Sequence, residues 1–237
     1  MLLGVKGIKQ VVLRHLSVFF VSALLVYLVW SINDTWSPDM RLWKAFGGAS
    51  FFLLWFTLFI GPASRIWPAL EKILAFRRET GIWFFLLILI HAYLILDGWV
   101  RWGVWEFLGY QYVADLDVYL RVESGFGVAN LIGFVALLFA LALAVTSSDR
   151  AVNFLGVSSW KWLHGFAYVV FYLAAIHVIY FSFIHYTPSL IRVVQGAPTN
   201  YPINPLKYYY LTLTLSVFAV QIWAFVKTVQ KYKKTQW

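Results

Sequence analysis

Three histidines fall inside hydrophobic stretches of this 237-residue chain: His91, His164 and His177. A charged side chain within a membrane span costs roughly 2.5 kcal/mol or more, so a histidine placed there is a functional candidate by default. Neutral imidazole is a good ligand for iron, and an axial pair helps set the potential of a haem. His91 and His177 have the placement such a pair needs. His91 stands fourteen residues after Arg77 and six before Asp97; His177 stands sixteen after Lys161 and eight before His185. At a helical rise of 1.5 Å per residue, they lie ~9 Å and ~12 Å below the same end of two parallel helices. No acid lies deep beside them, which favours an iron site over a proton relay. Leu173, Ala174 and Ala175 leave room for a flat ring near His177. Each ligand is expected to donate its second ring hydrogen to a carbonyl or hydroxyl. The plainer alternative is two buried imidazoles bonded only to backbone.

His164 differs. It precedes His177 by thirteen residues, which is ~20 Å along a helix and a rotation of about 220°. It sits near the opposite end of its span, beside Lys161. No histidine stands near Arg77 or Arg78 to match it. Its open readings are ligation of a second haem, contact with haem propionates or a quinol, and a cap on the helix start. Arg77 and Arg78 are topogenic charges in the ordinary reading; in the functional one they clamp propionates or an anionic donor surface. His15 and His185 fall at span edges and are read as solvated background.

The elements that must carry these residues are membrane spans. The composition is 62% hydrophobic and 12% charged, against about 25% charged in soluble chains. Aromatics reach 20%, with 13 Trp, many near span ends where an amphipathic ring is favoured. Runs near 20 residues long suit a roughly 30 Å hydrocarbon layer. They lie at Leu16–Trp30, Trp43–Ile60, Thr80–Trp99, Gly127–Thr146, Trp162–Ile184 and Tyr208–Lys227. The expected fold is an all-α integral membrane protein, a six-helix transmembrane bundle with both termini cytoplasmic, forming one domain over residues 1–237. Basic residues before Leu16 also suit a secretory signal, but no small-x-small cleavage pattern follows Trp30, and five more spans do.

Charge placement supports the topology. Of 19 Lys and Arg, 13 fall on one side of the six-span arrangement and 6 on the other; the 10 acids split 3 and 7. The +9 net charge is therefore a positive-inside bias in an inner, plasma-membrane multi-pass protein, and not a nucleic-acid patch. Cysteine is absent, which removes thiolate-held iron–sulfur clusters and thioether-attached haem, so any haem here is b-type. The inner segment Gly61–Glu79 suits a short surface helix. The acidic outer segment Gly98–Phe126 reads as a loop resting in the membrane interface, with partner docking the alternative. The proline-containing Thr187–Leu206 should be irregular. No internal repeat shows.

Several of these features occur in order: Arg77-Arg78 and Gly81 ahead of His91, Thr146-Ser147-Ser148 ending the fourth span, Trp160-Lys161-Trp162-Leu163-His164 opening the fifth, then the step to His177. This set resembles the ferric-reductase-like transmembrane family over spans two to five. The resemblance implies b-type haem, electron transfer across the membrane, and ligand roles for His91, His177 and His164. Within the family, three histidines and no attached flavin or nicotinamide domain resemble the haem-binding subunit of a bacterial methionine-sulfoxide reductase system. The oxidases have a fourth histidine, which this chain lacks on span three. The expected function is transfer of electrons from a cytoplasmic flavoprotein or quinol, with quinone or FMN supplied by the partner, to an extracytoplasmic acceptor such as a periplasmic oxidoreductase. The alternatives are a stand-alone ferric or cupric reductase component and, from another class, a haem-free transporter or assembly factor.

Overall fold

The computed structural model describes residues 5–121, 125–185 and 204–234. Among them, six helical stretches are long and apolar enough to cross a membrane. The protein is a multi-pass, all-α membrane bundle. In chain order the elements are α1 (Val5–Ile32), α2 (Pro38–Ile66), a 3₁₀ run (Pro68–Phe76), α3 (Arg77–Leu94), α4 (Val104–Phe107), β1 (Tyr110–Val113), β2 (Val118–Arg121), α5 (Phe126–Val145), α6 (Asp149–Leu155), α7 (Val157–Gly165), α8 (Ala167–Ile179) and α9 (Lys207–Lys234). The spans lie where the apolar runs predict them, and several are longer at both ends.

Helix α2 is the centre of the bundle. Of its most apolar stretch 56% is buried, against 11% for α1. Its start follows from Ser37, whose hydroxyl accepts the Met40 N–H at 3.4 Å, with Pro38 in the first turn; there proline's missing donor costs nothing. Leu53 and Leu58 of α2, Val170 and Phe171 of α8 and Val217 of α9 are buried together in one core, with Phe51 stacked on Phe171 at 5.4 Å. Polar ties link helices inside it: Trp55 donates to Ser216 at 2.8 Å, and Tyr172 to Gln221 at 2.9 Å. The outer faces of α1, α5 and α9 are exposed apolar side chains, as a surface solvated by lipid requires.

Of the two connections with an expected form, the first follows it as a short helical run at the surface and the second differs. The Gly61–Glu79 segment is an extension of α2 followed by a 3₁₀ run with no buried residue. The Gly98–Phe126 segment is more ordered than an interfacial loop: it holds α4 and an antiparallel hairpin pairing Tyr110 with Arg121 through Val113 with Val118. Asp117 closes the turn in the left-handed region, and its carboxylate accepts the Tyr112 hydroxyl at 2.5 Å. The hairpin segment is anchored to α5, where Asn130 donates to the Phe107 carbonyl at 2.9 Å and Gly127 lies against the Leu108 backbone. The expected irregular loop Thr187–Leu206 lies mostly outside the described residues.

Candidate functional site

The close-packed pairs around the histidines are α2 with α3 and α5 with α8; α3 and α8 themselves are not packed backbone to backbone. Each histidine helix is packed against the helix whose carbonyl its imidazole meets. Helical structure continues past each histidine through a single π-helical turn, Ile95–Trp99 and Tyr180–Ile184. His91 lies eight residues from the first end and His177 seven from the second, or ~12 and ~10 Å at helical rise. Their depths match.

Hydrogen bonding fixes what each ring offers. His91 Nδ1 lies 3.0 Å from the Trp43 carbonyl, and His177 Nδ1 lies 2.8 Å from the Ala129 carbonyl. A carbonyl can only accept, so Nδ1 carries the hydrogen in both rings and Nε2 is the bare nitrogen. No hydrogen-bond partner reaches either Nε2 among the described residues. Neither does any group of three or more His, Asp or Glu suited to a metal ion form among them. Two imidazole donors alone suit an ion that brings its other ligands with it, as iron in a macrocycle does. Both expected partners of the second ring hydrogen are thus backbone carbonyls of the neighbouring helix.

Above the pair, on the hairpin side, aromatic rings run across the bundle. Trp43 meets Trp99 at 5.6 Å, Trp99 stacks on Phe126 at 5.5 Å, Phe126 meets Phe181 at 5.7 Å, and Phe181 meets His177 at 5.0 Å. His185 joins this layer, 5.5 Å from Phe126 and 5.1 Å from Phe181. It is not the solvated background expected: burial first, then the Lys44 charge, push its pKa down to about 4.

His164 is set up in the opposite sense, at the far end of the bundle. It closes α7, which is separated from α8 by a break at Phe166. Its ring stacks on Trp160 at 4.1 Å, and its Nε2 lies 3.2 Å from Thr146 Oγ1. The Thr146 hydroxyl also faces the Ala142 carbonyl at 2.8 Å and the Leu143 carbonyl at 3.2 Å, and this cluster holds His164 by its Nε2. That nitrogen is committed to protein. The two arginines are likewise committed away from the His91 and His177 pair. Arg77 Nε donates to the Thr57 carbonyl at 3.0 Å; Arg78 donates to the Ser147 carbonyl at 3.1 Å and pairs with Asp149 at 2.9 Å. Arg78, His164 and Trp160, whose Nε1 donates to the Thr146 carbonyl at 2.9 Å, all converge on the turn after α5.

Sequence reasoning missed Glu79. It stands at the edge of its span yet is 2% exposed, with Oε1 3.0 Å from Arg14 Nε of α1 and Oε2 buried without a partner. The signal available was its position one turn ahead of Trp83, whose ring meets Phe19 of the same α1 helix at 5.3 Å. An acid on the face that receives another helix needs a cation from that helix, and Arg14 is five residues before Phe19.

Comparison with known proteins places the chain in a family. Residues 46–175 match the family model described as ferric reductase like transmembrane component. The chain is 30% identical over 174 residues to the protein-methionine-sulfoxide reductase heme-binding subunit MsrQ of Pectobacterium carotovorum subsp. carotovorum (strain PC1), covering 71% of this chain and 78% of that one. It is 26% identical over 170 residues to the MsrQ of Herminiimonas arsenicoxydans, covering 68% and 70%. Magnetosome protein MamZ of Paramagnetospirillum magneticum is 28% identical over 135 residues, covering 56% of this chain and 18% of that protein. No solved structure matches. With the matched residues running from α2 into α8, over more than half of the chain and including His91, the chain belongs to the ferric reductase like transmembrane family.

Proposed function

We propose that this protein is a haem-binding electron-transfer subunit of the membrane, with one b-type haem held by His91 and His177. The observation that carries the proposal is the pair of imidazoles at one depth, each with Nδ1–H committed to a carbonyl and Nε2 without a partner. Relatives named as heme-binding subunits support it. Haem, when bound there, supplies one-electron carriage within the bilayer. The chain's own residues do the rest. The carbonyl bonds hold both rings in orientation and raise their basicity as ligands, and the aromatic layer from Trp43 to Phe181 screens the pair from the hairpin side.

The basic end bearing Arg77, Arg78 and Lys161 is the cytoplasmic side, consistent with the charge bias. Electrons enter there from a flavoprotein or quinol donor and leave toward an extracytoplasmic oxidoreductase on the hairpin side. His164 and Arg78 shape the donor side and are not axial ligands. The test is a dithionite-reduced minus oxidised spectrum of detergent-purified protein. A b-type signal is expected, lost in His91→Ala and in His177→Ala; full haem content in either variant overturns the assignment.

A further inference from the structure

The two histidine-bearing arms follow one plan, although few residue identities are shared. His91 and His177 each donate to a carbonyl 48 residues earlier in the chain, Trp43 and Ala129. Four residues after each carbonyl stands a glycine, Gly47 and Gly133, and each imidazole lies against it. Carbonyl, glycine and histidine thus recur together 86 residues further on. Both helices reach their histidine through a Phe-x-Leu-x-x-Ile-His run, Phe85 to His91 and Phe171 to His177. Both leave it through a π-helical turn. The same step carries Arg78 onto His164, so the arms diverge at the basic end, where one has an arginine in place of an imidazole.

The glycines have a physical reason. In an α-helix the carbonyl of residue i already accepts the N–H of residue i+4. The side chain of residue i+4 leans back over that carbonyl, because helical Cα–Cβ bonds tilt toward the N-terminus. A ring arriving from a neighbouring helix to share the oxygen meets that Cβ first. A Cβ at Gly133 would stand 2.9 Å from His177 Nδ1; at Gly47 it would stand 3.0 Å from His91 Cε1 and 3.1 Å from its Nδ1. Gly81, on the His91 helix itself, has its nearest such neighbour at 4.0 Å.

We propose that Gly47 and Gly133 are positioning residues, each uncovering a helix carbonyl so that His91 and His177 are held as Nδ1–H tautomers with Nε2 presented. That these nitrogens meet iron rests on the function proposed above; the tautomer lock does not. The test pairs histidine-selective ¹⁵N NMR of the haem-free protein in bilayers with electron paramagnetic resonance and redox titration of the haem-loaded protein. Wild type and Gly81→Ala should show Nδ1–H at both rings. Gly133→Ala should convert His177 to a tautomer mixture, and Gly47→Ala should do the same to a smaller degree at His91. In the loaded protein, Gly133→Ala should shift the highest g value and raise the midpoint potential, since an imidazole deprived of its acceptor is a weaker donor to ferric iron. If Gly133→Ala fails to accumulate, Gly47→Ala decides the matter, its contact being the milder. Wild-type tautomers and spectra in both variants overturn the lock. A wild-type protein with Nδ1–H at both rings but no haem affinity overturns the proposed function and leaves the lock standing.

Discussion

At the hairpin end of the bundle two imidazoles spend one nitrogen on structure and keep the other; at the basic end the polar side chains spend themselves on each other. His164 Nε2 pairs with the Thr146 hydroxyl, Arg78 is divided between the Ser147 carbonyl and Asp149, and Arg77 is bonded to Thr57. The same residue types therefore serve different ends of one protein. A histidine in a membrane span is informative only once its partner is known, because the nitrogen that the partner engages decides which one is left.

The contrast is broken most directly by exchanging the roles of the histidines. His91→Ala and His177→Ala should each remove the main b-type absorbance, whereas His164→Ala should retain it; loss of most haem in His164→Ala would return that residue to the ligand set. The next largest effect belongs to Glu79. Removing one partner of a buried ion pair costs about 3–5 kcal/mol, and Arg14 keeps 29% exposure, so Glu79→Ala should cost about 3 kcal/mol, at the lower end of that range. Thermal denaturation in detergent checks this, and an unchanged midpoint would mean that the pair contributes nothing.

His185 sharpens the comparison through pH. Its pKa is lowered from 6.5 to about 4 by burial and then by Lys44, so the unfolded chain binds its proton first as pH falls. Stability from this group is complete above pH 6.5 and is lost as pH drops toward 4. His185→Phe should flatten that acid limb of the denaturation midpoint. The smallest effect is expected at Arg78 and Asp149, 52% and 76% exposed. An exposed ion pair of this kind is worth about 0–1 kcal/mol, so Asp149→Asn should shift the midpoint by a degree or so at most, and less at high salt.

Much of this was legible in the residues. Runs of apolar length gave the spans, and counting from flanking charges placed His91 and His177 at one depth. Other features exist only after helices meet. Glu79 reads as a span-edge acid until α1 docks and brings Arg14 to it. Gly47 and Gly133 look like ordinary small residues of membrane helices, because their relation to histidines 44 residues away forms only when each hairpin closes. The strand Tyr110-Gln111-Tyr112-Val113 is only four residues long, and its pairing depends on a left-handed turn at Asp117, a position that no glycine marks. Chain distance hid the duplication as well, since it lies in geometry more than in identity.

Each histidine arm is a helical hairpin with tight contacts of its own, α2 against α3 and α5 against α8. The arms also share one core, in which Phe51 of α2 stacks on Phe171 of α8. The spacing of the two imidazoles is therefore a property of that aromatic contact as well as of each arm's backbone, because a close-packed interior passes on a change in volume.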